Sequence, residues 1–175
     1  MREGQITTPE KAKMLTFQPS NAKLKELEKR TGKKVYTTSL LSGYSCPYAH
    51  DCMSKAVRKD GKTKIKDGPF TKFRCFSASQ EAQYPNVYND RADNFKSLRG
   101  KSIDDMVKSI QPPKNAGIVR IHVAGDMFSQ NYMEAWLIVA QNNPHITFYA
   151  YTKSLPYWLE SVSYTHLTLP TIYSV

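Results

Sequence analysis

The sequence predicts an α/β protein, built on a partial parallel (βα) barrel-like sheet that is truncated after about four strands. Short β-rich segments alternate with amphipathic segments of helical period, and strands that are joined by helical crossovers pair in parallel. Polar loops follow the predicted strands. Parallel α/β sheets carry their functional loops at the carboxyl ends of the strands, so we expect these loops to form the site.

The chain divides into three predicted regions. Residues 1–34 are predicted to form an N-terminal lead-in with a basic helix, and residues 35–161 the truncated α/β domain. Residues 162–175 contain no Asp, Glu, Lys or Arg in a chain that is 23% charged, and they resemble a translated sequencing-adapter read-through. We therefore expect an artefactual tail that takes no part in the fold.

Four strands and one hairpin account for the predicted β structure. The β-rich stretches that predict the strands cover residues 35–41, 73–77, 117–124 and 146–151. Residues 53–68 are strongly basic and surround Asp60-Gly61, a dipeptide that is typical of two-residue hairpin turns. This hairpin is expected between the first and second strands.

Four helices are predicted from apolar residues at helical spacing and from capping residues. They cover residues 21–31, 89–99, 102–111 and 130–141. Ser20 or Asn21 can cap the first helix, and Gly32 can end it. In the last helix an apolar stripe begins at Met133 and Trp136, which predicts the face that packs against the sheet.

The net charge is +10, from 25 Lys and Arg residues against 15 Asp and Glu residues. Such a balance suits contact with a polyanion, and the basic segment 55–66 is the predicted nucleic-acid contact. The alternative is a solvated basic surface without that partner.

The apolar runs are far shorter than the roughly 20 residues of a membrane span, and the N-terminus lacks a signal peptide. We expect no membrane partner and a cytoplasmic location.

Three cysteines occur in a chain without a secretion signal, and an odd number argues against a disulfide framework. Cys46 and Cys52 follow the first predicted strand and Cys75 lies in the second, so the thiols are expected at one edge of the sheet. Three thiolates can hold a 4Fe–4S cluster with one iron open. They can also join His50 in a zinc site, or remain unliganded. A site above a parallel sheet favours iron–sulfur.

Three residues of the later strands form the predicted catalytic set. Asp126 ends the third strand, where it can cap the next helix, as Ser129 can, or stay free for a substrate. Lys153 follows the fourth strand, where it can bind a phosphate or a carboxylate. His122 lies in the third strand, as either a hydrogen-bonded core residue or a site residue.

Four polar residues are the predicted cofactor contacts. Ser77, Ser79 and Glu81 follow Cys75 and could offer two hydroxyls and a carboxylate to a cofactor amine. Arg120 shares a strand face with His122, a pair that is costly to bury without a polar ligand. The chain contains no P-loop, dinucleotide-binding glycine motif, metalloprotease histidine motif or nucleophile elbow, which argues against the corresponding enzyme classes.

Three stretches resemble the phage gene product 88 family. They are LLSGYSCPYAHDCMSKA, KIKDGPFTKFRCFSASQEAQYPNVYNDRADNF and VRIHVAGDMFSQNYMEAWLIVAQNNPHITFYAYTKSL. The resemblance covers roughly residues 35–156. It implies a phage or prophage origin, in an infected or prophage-carrying bacterial host, and it implies no particular activity.

A further resemblance concerns Gly-Asp-x-Phe after the third strand and Asn-Pro-His-x-Thr-Phe before the fourth. These motifs are similar to the phage gene product 37 and 68 family, which in turn resembles the radical SAM barrels. Those barrels carry a cysteine loop after the first strand, which implies a 4Fe–4S cluster and S-adenosylmethionine. Radical SAM cysteines are three and two residues apart, whereas five residues separate Cys46 from Cys52, and this counts against S-adenosylmethionine.

Overall fold

The structure is a computed structural model that describes residues 14–164. Residues 1–13 of the predicted lead-in and residues 165–175 of the predicted tail lie outside the described residues. No helix within residues 14–164 combines the length and the apolar character that crossing a membrane requires. The proposed region boundaries at residues 34 and 161 stay predictions.

The described residues form six helices and six strands. In chain order they are β1 (Gln18–Pro19), α1 (Ala22–Thr31), β2 (Val35–Thr37), β3 (Lys55–Lys59), β4 (Lys62–Lys66), α2 (Phe76–Gln83), α3 (Pro85–Leu98), α4 (Ile103–Ser109), β5 (Ile118–Arg120), α5 (Gln130–Asn142), β6 (Thr147–Tyr149) and α6 (Leu155–Tyr164). The predicted α/β class is therefore confirmed.

The central sheet of the described residues has the strand order β1-β2-β5-β6. Strands β2, β5 and β6 pair in parallel, while β1 pairs antiparallel with β2. The regular strands are shorter than predicted, but backbone hydrogen bonds continue past them: Leu40 N donates to Ala124 O at 2.9 Å, and Val123 N to Thr38 O at 2.9 Å. These bonds hold the segments that follow β2 and β5 side by side.

The four predicted helices form, and polar residues at their ends cap three of them by side-chain hydrogen bonds. Asn21 accepts from Leu24 N at the start of α1, Ser102 accepts from Asp105 N in α4, and Ser129 accepts from Tyr132 N in α5. Gly32 ends α1 in the left-handed conformation that glycine adopts without steric cost. These side chains satisfy backbone groups that the first and last turns of a helix leave unpaired.

The predicted second strand, residues 73–77, is wrong, because the chain enters helix α2 at Phe76. Cys75 is the N-cap residue of α2, and its carbonyl oxygen accepts from Ser79 N at 3.1 Å. The short β-rich stretch gave the strand signal, but a single run of five residues does not separate a strand from the start of a helix. Helix α6, like α2, has no counterpart among the predicted helices.

The core lies between the sheet and helices α3, α4 and α5. Tyr132 and Trp136 of α5 are fully buried, together with Leu98 of α3 and Met106 of α4. Phe17 packs edge-on against Trp136 at a ring-centroid distance of 6.3 Å. Burial of these large side chains supplies the main stabilising free energy of the fold.

The predicted hairpin forms from β3 and β4. Asp60 and Gly61 have φ values of 49° and 74°, the left-handed pair of a tight turn whose twist matches the flanking strands. The strand register places Lys59 directly opposite Lys62 and Lys55 directly opposite Lys66. Like charges that face each other across an antiparallel pair destabilise it.

We predict that Lys62→Glu stabilises the protein, because it converts the Lys59–Lys62 repulsion into an attraction. The expected gain in the free energy of unfolding is ~0.2–1 kcal/mol at low salt and shrinks as salt screens the charges. Urea unfolding at two ionic strengths measures it. Lys114→Glu, at an exposed turn with the same change of net charge, is the control; an equal gain there would attribute the effect to net charge alone.

Candidate functional site

The loop that carries Cys46 and Cys52 is packed against the carboxyl end of β5. Gly125, at φ 84°, makes this close approach possible, because a Cβ atom there would lie 2.6 Å from Ser45 Oγ and 2.8 Å from Leu40 Cβ. Ser45 Oγ donates to Leu41 O at 2.9 Å and accepts from Asp126 N at 3.4 Å. Cys46 is thereby placed beside the segment that follows β5.

The β3–β4 hairpin begins and ends beside the loop that carries Cys46 and Cys52. Ser54 Oγ donates to Asp67 Oδ1 at 3.0 Å and accepts from Cys75 N at 3.3 Å. Thr71 Oγ1 donates to Cys52 O at 2.7 Å, so the segment after the hairpin is fastened to the cysteine loop. Cys75 comes near Cys52 because the hairpin turns the chain back towards the cysteine loop. It does not lie on a neighbouring strand of the sheet, as was predicted.

A cleft of about 320 Å³ opens where these segments meet the ends of β5 and β6. Six of the predicted site residues line it: Cys46, Cys52, Cys75, Ser77, Asp126 and Lys153. The side chains come from the cysteine loop, the start of α2 and the segments that follow β5 and β6. The cleft therefore lies at the carboxyl ends of the parallel strands, where such sheets place their ligands.

Burial makes the thiols of the cleft hard to ionise. It raises the pKa of Cys46 to about 11, and the charges of Asp126 and Cys75 act in the same direction. Burial also raises the pKa of Cys52, with a further contribution from Cys75 and an opposing one from Lys153. Within residues 14–164 no group of three His, Cys, Asp or Glu side chains stands ready-arranged to hold a metal ion.

Hydrogen bonds to Asp126 hold the segment after β6 against the end of β5. Its Oδ1 accepts from Met127 N at 2.7 Å and from Thr152 Oγ1 at 2.5 Å, and its Oδ2 accepts from Lys153 N at 2.8 Å. Both oxygens already have partners within the chain, and the residue is buried. The geometry gives Asp126 a positioning role, while Ser129 caps α5.

Lys153 and Ser77 extend the polar part of the cleft. Lys153 is exposed, and its Nζ lies 5.3 Å from the centre of the Phe73 ring, a cation–π distance. Ser77 lies in the first turn of α2, where the helix dipole favours an anion. Together they can receive a phosphate or a carboxylate.

Glu81 lies behind the cleft, outside its lining, in a buried ion pair. Its Oε1 accepts from Arg91 Nη1 at 2.9 Å, from Ser42 N at 3.1 Å and from Ser42 Oγ at 2.8 Å. This carboxylate joins α2 to α3 and to the start of the cysteine loop. Its other oxygen, Oε2, is buried without a hydrogen-bond partner among the described residues, and Glu81 does not line the cleft.

The other predicted site residues also lie outside the cleft lining. His122 is buried, and its Nε2 lies 3.2 Å from Tyr132 Oη. Arg120 Nε donates to His122 O at 3.0 Å, and its guanidinium lies over the Tyr151 ring. Ser79 donates to Cys75 O at 3.3 Å. His50 is exposed and packs edge-on against Tyr48.

Several lining residues were not predicted from the sequence. They include Ser42, Phe73, Tyr151 and Thr152. The Gly-Asp motif after β5 and the Thr-Lys motif after β6 lie in segments that line this cleft. Nothing in the sequence marked Phe73, because its place depends on the return path of the hairpin.

The Gene product 88 family profile matches residues 13–171. This chain belongs to the Gene product 88 family. The membership confirms the principal sequence resemblance and identifies a phage-type protein. The Gene 88 protein of Mycobacterium phage L5 is 37% identical over 111 residues, which are 63% of this chain and 44% of that protein. The chain thus matches less than half the length of its curated relative. No solved structure matches it.

We predict that Arg91→Met strongly destabilises this Gene product 88 chain, because it leaves the buried Glu81 carboxylate without its cation. The expected loss is about 3–5 kcal/mol in the free energy of unfolding. The double variant Glu81→Gln with Arg91→Met should recover much of it, since a neutral amide can still accept from Ser42. Urea unfolding measures both, with Arg30→Met of α1 as the exposed control; a loss no larger than the control's would contradict the role of the pair.

The second prediction for the Gene product 88 chain concerns acid stability. Burial lowers the pKa of His122 to about 3, whereas an unfolded histidine titrates near ~6.5. The unfolded chain therefore binds the extra proton, so the His122 contribution is fully present above pH ~6.5 and is lost as the pH falls toward 3, by at most ~1.4 kcal/mol per pH unit.

His122→Gln should remove this part of the pH dependence. Urea unfolding between pH 7 and pH 5 measures the slope for both proteins. The exposed His145 provides the matched control, His145→Gln, which should keep the wild-type slope. Equal slopes for His122→Gln and the wild type would contradict the assignment.

Proposed function

We propose that the cleft is a metal-binding site in which Cys46, Cys52 and Cys75 hold an iron–sulfur cluster. The observation that carries the proposal is the convergence of these three cysteines, from two separate segments, on one cleft at the carboxyl ends of parallel strands. The three thiols are free, so all are available as ligands. Such a site requires a reducing compartment, for example the cytoplasm of the host.

A metal centre in this cleft would have to ionise buried thiols. Thiolates are the species that bind metals, yet burial raises the pKa values of Cys46 and Cys52 and favours their neutral forms. A metal centre would displace the protons of these thiols, and its positive charge would offset the cost of burying the resulting thiolates. Cys75 contributes from the N-cap of α2, where backbone N–H groups favour negative charge. Binding would require the sulfurs to adjust from their positions in the described chain.

An iron–sulfur cluster fits the donor set better than a closed zinc site. Structural zinc takes four protein ligands, and the predicted fourth ligand, His50, is exposed and does not line the cleft. Asp126 lines the cleft, but its oxygens already accept three hydrogen bonds. A 4Fe–4S cluster needs only three thiolates and leaves one iron open.

The narrower form of the proposal is a radical SAM-like enzyme. When bound, the cluster would supply one-electron chemistry, and S-adenosylmethionine would be the cofactor at the open iron. The residues of this chain have binding tasks: Lys153 can pair with a carboxylate, and Ser77 can donate a hydroxyl hydrogen bond. Asp126 would act by keeping the Thr152-Lys153 segment in place.

Anaerobic reconstitution of the full chain with ferrous iron and sulfide tests the site. We expect iron and sulfide to be retained with visible iron–sulfur absorbance, and we expect Cys46→Ala, Cys52→Ala and Cys75→Ala each to lose both. Lys153→Gln is the matched control inside the same cleft. It should keep the metal and the absorbance, and it should lose S-adenosylmethionine binding measured by calorimetry if the narrower form is correct.

The alternatives give other results. A structural zinc site would retain zinc and no iron, and cysteine substitution would unfold the chain because structural zinc contributes folding free energy. Unliganded core cysteines would retain neither metal in well-folded protein, with a loss of about 1–3 kcal/mol per substitution. Absence of both metals from folded, anaerobically treated protein would overturn the proposal.

A further inference from the structure

The two faces of the β3–β4 hairpin differ sharply in composition. The inner face carries Ala56, which is fully buried, and Ile65, which is half-buried. Residues that are paired across the strands share a face, and successive pairs on that face are two residues apart. The outer face therefore carries Lys55, Val57, Lys59, Lys62, Lys64 and Lys66. Five of its six side chains are lysines.

The positive charge of this outer face is not neutralised inside the described chain. Within residues 14–164 no ion pair joins these five lysines to a carboxylate, and Lys55 lies over the Tyr44 ring at 5.0 Å. The carboxylates at the base of the hairpin have other partners: Asp67 pairs with Arg74 at 2.6 Å and Asp51 with Lys72 at 3.1 Å. Asp60, in the turn, is the acidic residue nearest in sequence to the face.

We infer that this lysine face, formed by Lys55, Lys59, Lys62, Lys64 and Lys66, binds the phosphate backbone of a nucleic acid. The lysines recur at about 6.6–6.8 Å along each strand and about 4.5–5.5 Å across the pair, so they form a closely spaced array of cations. Phosphates placed on this array would relieve the repulsion between the opposed lysines. Lysine acts there as a point charge, which gives contact with the backbone and no reading of base sequence.

The scarcity of apolar side chains on the lysine face favours nucleic acid over an anionic membrane. Surfaces that lie in a bilayer interface present a large apolar face beside their basic residues. The lysine face contains a single apolar side chain, Val57, which is 36% exposed. The inference is independent of the proposed iron–sulfur site, because none of the five lysines lines the thiol cleft.

The test is binding of fluorescein-labelled single-stranded and double-stranded DNA to the full chain between 50 and 200 mM salt. We expect the logarithm of the association constant to fall linearly with the logarithm of salt concentration. Lys62→Gln with Lys64→Gln should reduce that slope by about 1.4 for single strands or about 1.8 for duplex, as expected when two phosphate contacts are lost. Lys23→Gln with Lys114→Gln, at exposed positions away from the hairpin, should leave it unchanged.

Unfolding curves of both double variants confirm that each remains folded, which the removal of like-charge repulsion favours for the hairpin variant. An equal loss in the control variant would overturn the inference in favour of a generally basic surface. Binding that ignores salt would overturn it as well. So would binding to vesicles of phosphatidylserine and phosphatidylcholine without binding to DNA. We expect equal DNA affinity before and after iron–sulfur reconstitution. The test of the lysine face and the test of the metal site can therefore fail independently.

Discussion

The buried Glu81 carboxylate is the constraint on which the site depends. It is 1% exposed, so its charge must be compensated inside the protein. Arg91 of α3 and the backbone and hydroxyl groups of Ser42 provide that compensation, and they can do so only when α2, α3 and the cysteine loop keep one arrangement. Because Cys75 is the N-cap residue of α2 and Cys46 follows Ser42 in the loop, the contacts of Glu81 with Ser42 hold the two thiol-bearing segments together.

Close backbone approach completes this arrangement, and two glycines permit it. At Gly125 a side chain would collide with Ser45, and at Gly68 a Cβ atom would lie 2.7 Å from Met53 Cβ. The first contact brings the end of β5 to Cys46, and the second brings the exit of the hairpin to Cys52. The cleft is thus formed by segments that are distant in sequence, each held by local contacts that exclude a larger residue.

The sequence was informative where the signal was local. Caps such as Asn21 and Ser129, the turn at Asp60-Gly61 and the apolar faces of the helices were predicted because each depends on neighbouring residues. The placement of Cys75 near the other cysteines was expected for the wrong reason: a neighbouring strand was predicted, whereas a hairpin excursion returns the chain. The partners of Glu81 and Asp126 could not be predicted, since Arg91 and Thr152 reach them only in the folded chain.

The hairpin has two structural roles, and different residues carry them. Its base, through Ser54 and Asp67, returns the chain to Cys52, and its inner face packs on α2. Neither role involves Lys59, Lys62, Lys64 or Lys66, and the opposed pair Lys59–Lys62 lowers the stability of the strands that carry it. A two-stranded hairpin is marginal in isolation, so repulsion on its outer face is a real energetic cost. Folding alone gives no reason for that cost, whereas contact with a polyanion on the outer face would convert it into binding free energy.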